Sequence, residues 1–478
     1  MYLSVTVILA LTFITLHFGQ GCGNSMRSLH PQDGTANSGS NNPNNNNNNP
    51  PGGGDPPPPA PGKEIFVGPG GTGDGTTEAA PLGSVQSAMN QAQAGETVTI
   101  LPGTYTEDLS TSRNGENEKS ILVKAKNGRG SVIIRSTSGR ALQVNHAYWT
   151  FWGLVFDGRY GNRDLILVRK GGDNLTFKNV EVKESSRDCM DIEEVNDILI
   201  EDSLIHHCLN YTGGQRVDAH GIVGVAVRNL TIKNTEIHTF SGDAVQLDPN
   251  RSALGWDNLV ISGCHFWLKP LPALTNGFPA GSVPGENAFD SKVGPGRPKI
   301  LIEKTIASGF KDGLISNMAA FNLKESIEVT VDRVLVFDSD IAFRVRGPAH
   351  TTIMNSVVHS TARAVRYEDD VQILKIWNST FGGDITTFLQ AASSVSTGVE
   401  IKNSVYLTQT LPTIAGGDSS NVALPAAGFA NTVEHDYHLK SGSLAQGKGV
   451  LLPLVVHDYD GKSRSAGGPY DSGAFLAP

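Results

Sequence analysis

Cysteine and aromatic residues are scarce: four Cys in 478 residues, and 7% Phe, Trp and Tyr together. No CxxC pair occurs, which removes the ligand spacing typical of structural zinc sites. Basic residues are outnumbered, 38 Lys and Arg against 47 Asp and Glu, and a net charge of −9 argues against a general nucleic-acid binder. An acidic polymer would need locally gathered bases or a bridging cation to approach such a chain. The long apolar run, Tyr2 to Phe18, is too short and too early for a membrane span. With the small residues Gly19 and Gly21 behind it, it reads as an export signal over residues 1–21. Residues 22–63, with an Asn run and PPGGGDPPPPAPG, bury too little apolar surface to fold and read as a disordered tether. Cys22 at its head suits a bacterial lipid anchor, simple secretion being the alternative. Either way the folded part is expected outside the cell or on its surface.

What the chain has in abundance is repetition. NLTFKN from Asn174 returns as DILIED from Asp197, NLTIKN from Asn229, NLVISG from Asn258, KILIEK from Lys299, EVTVDR from Glu328, HTTIMN from His350, ILKIWN from Ile373 and GVEIKN from Gly398. Each copy alternates apolar and polar residues and is rich in Val, Ile and Thr, the signature of a strand. Starts lie 22 to 41 residues apart, one solenoid coil per copy, and a single folded domain is expected over 64–478. Coils with extra residues must loop them outward, where such loops tend to wall a binding surface. Ser84 to Ala94 has helical spacing and precedes the strand ETVTILPGTY, so a short helix is expected to cover the first coil within a cap of about 64–110. The closing segment runs over about 436–478.

Two columns read as structural. Cassette position six holds Asn179, Asp202, Asn234, Asn355, Asn378 and Asn403, residues that tolerate a left-handed backbone and can bond to their stacked equivalents. Position seven holds Ser203, Thr235, Cys264, Thr305, Ser356, Ser379 and Ser404, a column of small inward side chains. A disulfide between Cys189 and Cys208 stays open for an exported chain.

A second strand in each coil aligns on a small residue followed by alternating apolar ones: CMDIEE from Cys189, AVQLD from Ala244, AFDSK from Ala288, GLISN from Gly313, AFRVR from Ala342 and AVRYE from Ala364. This register predicts two outward columns. One is Asp191, Gln246, Asp290, Ile315, Arg344 and Arg366; the other is Glu193, Asp248, Lys292, Asn317, Arg346 and Glu368. Coils sit about 4.8 Å apart, so acids and bases distant in sequence meet on one face. Acids converging from adjacent coils repel unless a hard cation holds them, which makes Asp191, Glu193, Asp243, Asp248 and Asp290 candidate calcium ligands. His220, grouped with His206, His207 and His238, is a candidate substrate contact, as is Arg366. Trp256 and Trp267 lie on the long loops with Tyr211 and could stack on sugar rings.

The segment opening at Glu64 and the closing stretch YHLKSGSLAQGKG resemble those of secreted bacterial right-handed parallel β-helix proteins of the pectate-lyase-like superfamily. GENAFDSKVGPG, Gly285 to Gly296, resembles a stretch of the family-nine pectate lyases, keeping Phe289 and Lys292, with Asn287 where that family has a calcium-binding Asp. The resemblance implies an all-β right-handed parallel β-helix and, from the local motif, a calcium-assisted polysaccharide lyase. β-Elimination on a uronic-acid polymer requires neutralising a carboxylate, removing the C5 proton and stabilising the leaving oxygen. Lys292 is the candidate base, and Arg344 and Arg346 the carboxylate or leaving-group contacts. The alternatives are a glycoside hydrolase, a uronate C5-epimerase on the same fold, or a non-catalytic glycan-binding surface protein. No polygalacturonase-like set of paired Asp, Gly-His-Gly and Arg-x-Lys occurs. A monomer is expected.

Overall fold

The computed structural model describes residues 62–392, 398–413, 416–465, 467 and 470–478. The export signal, Cys22 and the tether up to residue 61 lie outside the described residues. From Glu64 onward the chain winds as a parallel β-helix in which each coil contributes strands to three parallel ladders. The cassettes form the first, a 13-stranded sheet from Glu64–Val67 to Val399–Lys402. The second ladder runs through Glu181–Ser185, Leu204–Cys208, Glu236–Phe240 and His265–Trp267. The third runs through Met190–Glu193, Ile222–Val225, Val245–Leu247, Phe289–Ser291 and Ala319–Leu323. The last two join where the 12-residue strands Leu335–Arg346 and Val357–Glu368 pass through both.

Alternation puts one set of side chains inside each ladder. Phe289, Phe321 and Phe343 are buried on successive coils, the last two stacked at 5.5 Å between ring centroids. A helix, Val85–Gln91, covers the first coil with Val85, Ala88 and Met89 inward. Its N-cap is Ser84, and the Glu107 carboxylate accepts from the backbone N–H groups of Val85 and Gln86, satisfying donors that the helix leaves free.

The structural columns behave as their chemistry requires. Asn179, Asp202, Asn234, Asn355, Asn378 and Asn403 all have left-handed φ between 44° and 54°. Asn403 Nδ2 donates to Asn378 Oδ1 at 3.0 Å one coil away, and Asn234 to Asp202 at 3.2 Å. Next in the chain, each hydroxyl donates to its own coil and accepts from the neighbouring one. Ser356 Oγ donates to Met354 O at 2.8 Å and accepts the Val334 N–H at 3.2 Å; Ser203 does the same with Glu201 O and Val180 N. Backbone donors at the corners therefore find partners without water. Cys264 occupies the same column and is buried. Cys189 and Cys208 are bonded to one another.

Candidate active site

The observed register corrects the third ladder in two places. The strand Ile222–Val225 inserts a coil between Asp191 and Gln246, so that Asp191 pairs with Val223 and Val223 with Gln246. Gly313 to Asn317 form no strand; the strand of that coil is Ala319–Leu323, which places Asn322, not Ile315, beside Asp290 and Arg344. The sequence carries the signal: Ala320-Phe-Asn-Leu-Lys324 has the same pattern as Ala288-Phe-Asp-Ser-Lys292 and Ala342-Phe-Arg-Val-Arg346. The outward columns are thus Gln246, Asp290, Asn322, Arg344, Arg366 and, on the adjacent row, Lys292, Lys324, Arg346, Glu368.

On this face Asp290 is 4% exposed. Its Oδ1 accepts from Asn322 Nδ2 at 2.8 Å and lies 2.9 Å from Lys324 Nζ, while Lys292 Nζ stands 3.8 Å from Oδ2. The immediate partner of Lys292 is thus a carboxylate. Three coils beyond Asp290, Glu368 collects Arg344 at 2.7 Å, Arg346 at 3.1 Å and Arg366 at 2.9 Å, and Arg346 also pairs with Asp369. These guanidinium groups hold the Glu368 carboxyl below its ordinary range against the opposing effect of burial. Lys292, Arg344, Arg346 and Arg366 therefore come together on one face, as expected, with Lys324 and Asn322 added.

The acids do not assemble into a cation cage. Asp191 and Glu193 turn to Arg169, at 2.7 and 3.1 Å, and Asp191 is separated from Gln246 by the Val223 coil. Asp248 leaves the outward row because its φ of 51° swings the side chain inward. There it is 0% exposed and accepts the Ser252 N–H at 2.8 Å. Asp243 sits buried at the corner before the third ladder, where Asn287 Nδ2 donates to it at 2.7 Å and Gln246 Nε2 at 2.8 Å. Burial first, and then the nearby Asp290 charge, push the Asp243 carboxyl up to about 7. Among the described residues no three His, Cys, Asp or Glu side chains are placed to hold a metal ion. The five residues expected to bind calcium do not fit that role.

Three further expectations are corrected. His220 is buried; its Nδ1 accepts the Asp243 N–H at 2.8 Å, and its backbone N–H donates to Asp188 Oδ1, so the residue is part of a corner ladder rather than an open contact. Burial raises Asp188 to about 6. Trp256 is 3% exposed and spends its indole N–H on Lys292 O at 2.8 Å, beneath the face rather than over it. Trp267 belongs to the second ladder, stacked on His238 at 4.1 Å and donating to Glu236 at 2.6 Å. It continues a column with His206 and His238, where burial drives His238 down to about 2; His207, beside them, falls to about 4.

Three long insertions emerge at the corner between the second and third ladders, before residues 222, 289 and 319. Two of them fold onto each other. Leu209, Leu271 and Phe278 form a small core of their own with Tyr160 and Tyr211, Asn276 donates to Ser186 Oγ and Leu209 O, and Arg216 pairs with Glu286. The Lys292 end of the cationic face thus has a built wall beside it, whereas the strands bearing Arg344, Arg346 and Arg366 pass this corner without an insertion.

No family model matches the chain, and no curated protein matches its sequence. Among solved structures, a rhamnogalacturonan lyase aligns over 77% of this chain and 92% of its own, at 14% identity and a TM-score of 0.50. The pectate lyase Pel9A aligns over 87% and 96%, at 17% identity and a TM-score of 0.49. A polygalacturonase from Erwinia carotovora ssp. carotovora covers 71% and 97%, at 12% identity and a TM-score of 0.43. The fold is a parallel β-helix, shared with the rhamnogalacturonan lyase.

Proposed function

We propose that the chain is an exported polysaccharide lyase that cleaves a uronic-acid polymer lying along the third ladder. The observation that carries this reading is the shared outward face of Lys292, Arg344, Arg346 and Arg366, whose Lys292 end adjoins the wall of insertions. Arg344, Arg346 and Arg366 outnumber the carboxylates they hold, Glu368 and Asp369, which leaves charge for a substrate carboxylate. Neutralising that group acidifies the C5 proton. Lys292, held less closely to Asp290 than Lys324 is, supplies the amine that accepts this proton. The C5–H electron pair forms the C4–C5 double bond, the C4–O bond breaks, and the departing oxygen takes a proton from Lys292 or water.

The test is ultraviolet absorbance of the unsaturated uronate when purified protein meets pectate, alginate and glycosaminoglycans, with and without chelator. An absorbing product from one of them supports the reading. New reducing ends without absorbance would instead favour a hydrolase, the second reading. Export, and a lipid anchor at Cys22, belong to the same proposal.

A further inference from the structure

The row Lys292, Lys324, Arg346 was only partly legible, and its spacing carries more than a count of charges. Ser291 pairs with the strand bearing Leu323, and Leu323 with Val345, so the residues that follow them stack on three consecutive coils. Cations therefore recur at about 4.8 Å along the axis. The parallel column adds Arg344 and Arg366, two residues away along the strand, or about 6.6 Å to the side. These five cations face three carboxylates, Asp290, Glu368 and Asp369. Asp290 is buried beneath Lys292 and Lys324, whose side chains are 23% and 15% exposed, so the ammonium groups form the surface there and the carboxylate its support.

We infer that this face selects polymers with a carboxylate on every sugar over those in which charged and uncharged sugars alternate, and that Lys324 is a specificity-determining contact. Successive coils rise by about 4.8 Å, and a 1,4-linked pyranose ring is of the same order of length. A contiguous polyuronate can then meet one cation per coil, and the two columns serve carboxylates that alternate from side to side. An alternating polymer would leave every second coil's cation facing an uncharged sugar. Such unpaired, part-desolvated charge is the repulsive side of selectivity. The inference rests on the proposed groove, and it concerns recognition rather than bond cleavage.

The experiment compares binding and initial rates of the full chain on polygalacturonate and polymannuronate with those on hyaluronan and unsulfated chondroitin. The expected result is at least about tenfold tighter binding of the contiguous polymers, the worth of one charge-assisted contact. Lys324→Ala should lose about tenfold in affinity for them, with a raised KM and little change in kcat, and Lys324→Arg should restore it. Equal binding of the two polymer classes by the unaltered chain would overturn the inference, whatever the variants do. Contiguous selectivity without unsaturated product would keep the inference and reject the lyase. Unsaturated product made equally from both classes would do the reverse.

Discussion

Asp243 offers a quantitative test of how the corner beside the groove is built. Its carboxyl is fully buried, and Asn287 and Gln246 each donate a hydrogen bond to it. Burial and the neighbouring Asp290 raise it from 3.8 to about 7. A carboxyl whose folded-state value is raised favours folding while it is neutral. Its contribution is complete below pH 3.8, declines as pH rises, and is gone above about 7. The interval corresponds to ~4 kcal/mol. Asp243→Asn imitates the neutral acid: its Oδ1 still accepts from Asn287, and its NH2 can donate to Gln246 if that amide turns over. The variant should match the parent near pH 4 and exceed it by up to about 4 kcal/mol at pH 8. Urea midpoints of both proteins across this range provide the assay. Comparing the two cancels Asp188, raised to about 6, and His207, lowered to about 4, which titrate in both. Equal pH slopes for parent and variant would show that Asp243 is already ionised in the folded chain, and the burial argument would fail.

The bond between Cys189 and Cys208 closes 19 residues at the root of the wall. Replacing both by Ser should lower stability by about 3 kcal/mol in denaturant titrations, and an unshifted midpoint would contradict that. A Cβ at Gly242 would strike the His220 ring, so Gly242→Ala should cost about 1–3 kcal/mol and perturb the His220 resonance in nuclear magnetic resonance spectra. An unmoved resonance would mean that the corner is looser than described. Lys292→Ala should abolish formation of unsaturated product while leaving the circular dichroism spectrum unchanged; full activity would remove Lys292 from the mechanism.

Much of the fold was legible because a solenoid writes its period into the chain. The cassettes from Asn174 to Gly398 mark the first ladder directly, and most end in Asn or Asp followed by Ser, Thr or Cys because every coil turns the same corner. The third ladder was harder. Its strands are as short as three residues, and Gly313-Leu-Ile imitates the small-then-apolar pattern that Ala320-Phe-Asn-Leu actually forms. That slip hid Asn322 and Lys324, although AFDSK, AFNLK and AFRVR stand in plain succession. The acids were misread for a different reason. Spacing says which coil a residue occupies, but a single left-handed residue such as Asp248 reverses its direction. Trp256 shows the same limit: a tryptophan on a long connection can fold back to bond Lys292 O as readily as stand open to a sugar.

The central claim is that one outward face, from Lys292 to Arg366, receives the polymer. A crystal structure of the chain with a bound uronic-acid oligosaccharide tests it most directly. The account predicts substrate carboxylates within hydrogen-bonding distance of Lys324, Arg344 or Arg346, with the sugar chain running along the solenoid axis. An oligosaccharide seated instead on the second ladder, along His206, His238 and Trp267, would contradict it.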